Sequence, residues 1–215
     1  MSKLIHTISQ KIAKRIVSSS EKKVSVNVVA YGLEVVLGEL VKIAIFFFLG
    51  WLFNCLLQMI VLVLSYMLTR IVTGGPHCSS YMRCLILGVV SFTPLAILAN
   101  FANETMLSVS ILISVVFTIY VTFRWVPGEW HQRRLKKAKE TYRNMTIVLL
   151  MVAYVLTMMF FLANQTFWIS IGQAIQLGIM WQFVGVTPFG YKLVRQADQF
   201  MIHIANLFCR KEEII

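Results

Sequence analysis

Apolar residues in this chain run in long blocks rather than in stripes. The blocks span roughly 26–49, 52–69, 82–100, 106–123, 146–163 and 167–187. A surface helix of a soluble protein repeats its apolar positions every three to four residues and leaves one face polar. These blocks are apolar on every helical face, and each approaches the ~20 residues that cross a ~30 Å hydrocarbon core. The pattern predicts an all-α, polytopic membrane protein. Four blocks are unambiguous, but the first two need a decision. Residues 43–69 are almost unbroken, interrupted by Gly50, Asn54 and Gln58. They are one overlong helix, or two helices of which the first starts earlier and carries Glu34, Glu39 and Lys42.

Charge placement decides between them. Of the 20 Lys and Arg residues, six lie in residues 1–23, seven from Arg124 to Arg143, and four from Lys192 onward. Arg70 and Arg83 flank residue 76, and Lys42 remains. The stretches near 50–54, 100–105 and 164–166 carry none. With six spans, every basic cluster falls on one side and every charge-poor turn on the other, as the positive-inside rule requires. Six spans and two cytoplasmic termini are therefore expected. Glu39 and Lys42, three residues apart, can then neutralise each other on one helix face.

Composition agrees and excludes a soluble domain. The chain is 58% hydrophobic and 13% charged, against about 45–50% and about 25% for globular domains. One membrane domain over 1–215 is expected, with a bundle over 26–187 and a cytoplasmic tail over 188–215. Residues 1–23 place Ile5, Ile8, Ile12 and Ile16 at helical spacing among Lys3, Lys11, Lys14 and Arg15. No small-residue cleavage site follows, so this reads as an interfacial amphipathic helix, unprocessed, with its basic face toward anionic lipid.

One passage resists helix formation, TRIVTGGPHCSSYMRCLILG at residues 69–88. Gly74, Gly75 and Pro76 should end the second span, because Gly is flexible and Pro lacks an N–H. A polar group follows, His77, Cys78, Ser79, Ser80 and Tyr81. Non-helical backbone at membrane depth is tolerated only where protein or water surrounds it. The passage is thus a cytoplasmic loop or a segment lining a cavity. A His near a Cys suggests a thiol nucleophile with a general base. Both Cys78 and Cys84 qualify. In one straight helix His77 and Cys84 would be about 10.5 Å apart along the axis, so their pairing requires a bent or extended segment. Zinc-ligand spacing is absent, and no metal or cofactor is expected.

These residues carry a resemblance. The chain resembles the accessory gene regulator B family, bacterial membrane endopeptidases that process quorum-sensing propeptides. The carrying residues are Arg70, Gly74-Gly75, His77 and Cys84 within RIVTGGPHCSSYMRC. YGLEVVLGELVK (31–42), HQRRLKKAK (131–139) and the basic tail support it. The resemblance implies that Cys84 is the nucleophile and His77 the base. They would cut the tail from an AgrD-like propeptide through a thioester, which an internal Cys or Ser then closes into a thiolactone or lactone. Arg70, Gly75 and Ser80 are candidates for supporting or oxyanion roles. Glu34, Glu39, Lys42, Arg133, Arg134, Lys136 and Lys137 are candidates for substrate binding. The expected partners are the propeptide, membrane lipid and a second copy of the chain, with no nucleic acid. The expected location is the bacterial cytoplasmic membrane, with the site on the cytoplasmic side. A peptide transporter without proteolytic activity is the competing expectation.

Overall fold

The protein is described by a computed structural model covering residues 3–18, 25–128 and 139–212. The described residues form eight helices and no strand: α1 Lys3–Ser18, α2 Val26–Leu52, α3 Leu56–Thr73, α4 Tyr81–Asn100, α5 Glu104–Trp125, α6 Lys139–Leu162, α7 Thr166–Val186 and α8 Pro188–Glu212. Six of them, α2 to α7, are long and apolar enough to cross a membrane. The ambiguous run over 43–69 is therefore two helices. They part at Phe53–Cys55, where Asn54 takes a positive φ of 52°. The N–H of Cys55 reaches Gly50 O and that of Asn54 reaches Trp51 O. That paired closure satisfies the last carbonyls of α2.

α7 is the hub of the bundle. Of its most apolar window 72% is buried, against 17–33% in the other five spans. It packs on α3, α4, α5 and α6, and its polar side chains are the ties. Gln58 of α3 donates to Ser170 at 2.9 Å, and Gln173 donates to Ser110 of α5 at 2.9 Å. Gln176 accepts from Ser114 of α5 and donates to Thr157 of α6. Lipid tails give helices no hydrophobic reason to associate, so packing of small residues and interhelical hydrogen bonds must hold such a bundle. Gly178 shows the first term. A Cβ there would lie 2.5 Å from the carbonyl oxygen of Leu62.

Three boundaries differ from the sequence reading. α3 starts and ends later than 52–69, which puts Arg70 in its last turn. α6 is already helical at Lys139, well before 146, because a helix that leaves the membrane can continue through polar residues. The expected tail over 188–215 contains α8, a helix with Pro188 in its first position and Thr187 before it. Thr187 Oγ1 accepts from Gly190 N at 3.1 Å, a helix start suited to both residues. α1 is helical as its periodicity predicts and packs on α2 through buried Ser9 and Ala13, leaving Ile8, Ile12 and Ile16 exposed.

Gly178→Ala is expected to cost about 1–3 kcal/mol through forced overpacking, seen as a lower unfolding temperature in detergent. Gly32→Ala, where no atom lies within 4 Å of the added methyl, should leave that temperature unchanged or raise it, since Ala favours the helix over Gly. Equal behaviour of the two variants would contradict the α3–α7 contact.

Candidate active site

The passage between α3 and α4 is extended rather than helical, over residues 74–80. Gly74 and Gly75 adopt φ of 73° and 149°, which side-chain-bearing residues rarely take. Ser80 is extended at φ −135° and ψ 143°, and α4 starts only at Tyr81. His77 and Cys84 are thus not stacked along one helix. Both open into a single cavity of about 300 Å³ among α2, α3, α4, α7 and α8. Its wall is largely apolar, and Glu39, Lys42, Arg70 and His77 supply its polar rim.

Arg70 organises the passage. Its Nη2 donates to the Pro76 carbonyl and, at 3.1 Å, to His77 Nε2. Its Nη1 donates to the Tyr66 hydroxyl at 2.7 Å and to Gln182 Oε1 at 3.5 Å. Gln182, buried on α7, donates in turn to Thr73 Oγ1 at 2.8 Å and to the Gly74 carbonyl at 2.6 Å. Gly75 lets the guanidinium pass, since a Cβ there would meet Nη1 at 3.2 Å. A guanidinium can only donate. His77 Nε2 therefore carries a lone pair, and in the neutral ring the proton sits on Nδ1. Burial, then the charges of Arg70 and Lys42, hold the His77 pKa below its ordinary value, against the opposing pull of Glu39. The ring is accordingly neutral at pH 7.

Two cysteines open into this cavity, Cys78 and Cys84. Burial, with Cys84 and Asp198 close by, pushes the Cys78 thiol up to about 11. Cys78 therefore holds its proton at neutral pH, and thiolate is the reactive form. Cys84 lies in the first turn of α4, with its N–H bonded to the Ser80 carbonyl at 3.0 Å.

Asp198 of α8 secures the same passage from its other side. Its Oδ2 accepts from Ser79 N at 3.2 Å and from Ser79 Oγ at 2.6 Å. Its Oδ1 accepts from Arg83 Nε at 2.6 Å. These bonds hold the Asp198 carboxyl below its ordinary range, the Ser79 and Arg83 side chains contributing most.

Of the residues singled out from sequence, His77, Cys78, Cys84, Arg70, Glu39 and Lys42 are gathered at this cavity. Glu39 and Lys42 pair at 2.5 Å as their spacing predicts. Gly75 packs on Arg70, and Ser80 precedes α4 without a capping bond from its side chain. Glu34 is elsewhere, bonded to His6 of α1 at 2.5 Å. Arg133, Arg134, Lys136 and Lys137 lie outside the described residues. Tyr66, Gln182 and Asp198 were not singled out. Gln182 alone carried a signal, as a polar residue inside an apolar block.

The sequence profile of the family described as Accessory gene regulator B matches residues 5–186. An AgrB-like protein of Clostridium perfringens (strain SM101 / Type A) is 23% identical over 204 residues, covering 90% of this chain and 94% of the relative. One from Halalkalibacterium halodurans is 25% identical over 189 residues, covering 86% and 87%. One from Listeria monocytogenes serotype 4a is 25% identical over 179 residues, covering 78% and 79%. No solved structure is significantly similar. The family match stops at the end of α7, so Asp198 lies beyond it.

Removing the Asp198 carboxylate should free the passage. In Asp198→Ala the Ser79 amide is expected to exchange hydrogen with solvent faster than in the unsubstituted protein at pH 7. A depressed folded pKa makes the tie fully present above the ordinary carboxylate range and lost as pH falls through the lower folded value. Protection of that amide, corrected for its intrinsic rate, should thus hold above about pH 4 and decline below it. Protection unchanged by the substitution would contradict the tie.

Proposed function

Because this chain belongs to the accessory gene regulator B family, we propose that it is a membrane cysteine endopeptidase. It cuts the C-terminal tail from an AgrD-like signal propeptide and promotes cyclisation of what remains. Membership supports a role in the agr quorum-sensing system, and the six apolar helices make the chain a multi-pass membrane protein. The observation that carries the finer reading is that His77 and Cys84 share one cavity wall.

In this reading Cys84 Sγ attacks the scissile carbonyl, and its proton passes to His77 Nε2. The Arg70 N–H that occupies Nε2 must withdraw as that proton arrives, because a protonated nitrogen cannot accept it. The C–N bond then breaks, and the departing amine takes the proton from His77. The acyl group remains on Cys84 as a thioester. An internal Cys or Ser of the propeptide attacks that thioester, loses its proton to His77 and closes the ring. Cys84 leaves as thiolate and recovers the proton. Exchange of one thioester for another is nearly balanced, whereas hydrolysis is strongly downhill. An apolar cavity that excludes water and holds the second nucleophile close favours the ring.

The site faces the cytoplasm in this reading, and both termini do so as well. The basic residues Arg133, Arg134, Lys136 and Lys137 attract an acidic propeptide tail by long-range steering. The functional unit is a homodimer in the bacterial cytoplasmic membrane.

Co-expression with the candidate propeptide tests the reading. Cys84→Ala is expected to abolish cleavage, and His77→Ala to slow it by about 10²–10⁴-fold, the usual worth of a general base. Full-rate cutting by Cys84→Ala would end the peptidase reading. Since His77 acts only when neutral and its pKa is lowered, the acid limb of kcat/KM should fall below about pH 6.5, the ordinary imidazole value. A limb above that value would remove His77 as the base. A membrane-impermeant thiol reagent should label Asn103→Cys in intact cells. Labelling only after lysis would reverse the topology.

A further inference from the structure

The cavity continues beneath Cys84, and its chemistry changes with depth. Along one face of α4, Cys84 is followed by Gly88, Ser91 and Phe92, and all four line the cavity. The rise from Cys84 to Phe92 is about 12 Å at 1.5 Å per residue. The recess thus starts at the polar rim and runs into the apolar layer. Its floor is aromatic. The Phe46 and Phe92 rings lie 5.5 Å apart by centroid, and Tyr66 meets Phe92 at 4.8 Å. The whole cavity, polar rim included, has about 300 Å³, at the small end of ligand pockets, roughly 300–1,000 Å³, and the recess beneath Cys84 is only part of it. It has room for one bulky side chain rather than a run of peptide.

Gly88 sets that room. It lies one turn below Cys84, and a Cβ there would already meet Phe46 at 3.3 Å. Any larger side chain would grow into the recess. Bond geometry says which substrate residue reaches it. In a thioester on Cys84 the carbonyl carbon is bonded to Sγ, and the Cα of the acyl-side residue is the next atom. That residue stays tethered within a helical turn of Cys84, where Gly88 opens the wall.

We infer that the recess between Cys84 and Phe92 is the specificity pocket for the acyl-side residue of the scissile bond. It takes a bulky aliphatic or aromatic side chain, with Gly88 as the residue that admits it. The inference rests on the thiol-peptidase reading and adds the class of side chain that the site selects.

Thiol-directed reagents test it without knowledge of the propeptide. The full-length protein in detergent is treated with the chloromethyl ketones of acetyl-Phe, acetyl-Leu and acetyl-Ala, and separately with iodoacetamide. Each ketone carries its side chain beside the carbonyl, as the acyl-side residue would. The thiolate displaces chloride and forms a thioether, which mass spectrometry assigns to Cys84. The Phe and Leu reagents are expected to label Cys84 at least tenfold faster than the Ala reagent. Gly88→Leu should remove that preference while changing the iodoacetamide rate by less than about twofold. If Gly88→Leu disturbs the iodoacetamide rate, Ser91→Phe fills the recess from the next turn and makes the same comparison. Equal rates for the three ketones would overturn the inference alone, as expected were a lipid chain to fill the recess. A preference that survives filling would overturn it too, since partitioning into micelles does not depend on Gly88. Failure of every reagent, iodoacetamide included, to label Cys84 would remove the thiol reading and the inference together.

Discussion

A chain that leaves the helix at a membrane boundary must find partners for its freed backbone groups, and much of this structure is arranged around that need. In lipid no water satisfies them, and each unpaired group costs several kcal/mol. Residues 74–80 are the break, and Thr73 ends α3 beside it. The Thr73 carbonyl accepts from Gly128 N, the Gly74 carbonyl from Gln182, the Pro76 carbonyl from Arg70, and Ser79 N donates to Asp198. The partners come from the end of α3, the segment after α5, the core of α7 and the middle of α8. The passage is therefore an extended strap tied from four directions, which is what lets His77 and Cys84 open into one cavity.

The same ties give the site its chemistry. Arg70 holds the strap and also occupies the lone pair of His77, so one guanidinium positions and restrains the ring, and its charge adds to burial in keeping it neutral. Asp198 spans Ser79 and Arg83, the residues just inside His77 and Cys84 in sequence. The polar rim sits over an aromatic floor, so charge and apolar room meet at one cysteine. Cys78, adjacent to the same histidine in sequence, opens into the same cavity, and burial with Cys84 close by raises its thiol pKa.

Six spans were legible because unbroken apolar blocks and one-sided basic clusters are properties of consecutive residues. The break at Gly74-Gly75-Pro76 was legible for the same reason, and so was the Glu39–Lys42 pair. The partners of the strap were not. Gln182 lies 112 residues from Arg70 and Asp198 lies 119 from Ser79, separations at which one sequence gives no pairing signal. The helix within the expected tail, α8, carries its apolar residues as a stripe rather than a block, so it gives no membrane-spanning signal. Glu34, a candidate for substrate binding by its sequence, is instead bonded to His6, because α1 packs back on α2.

If Cys84, and not its neighbour Cys78, is the nucleophile, it becomes acylated in the cavity during turnover. That assignment is tested most directly by acid-quenching the protein during turnover with its propeptide and mapping the thioester-linked acyl group by mass spectrometry. The account expects the adduct on Cys84, in a fraction that rises when the propeptide's internal Cys or Ser is replaced by Ala and ring closure is blocked. An adduct on Cys78, or continued cleavage with no adduct on either cysteine, would contradict it.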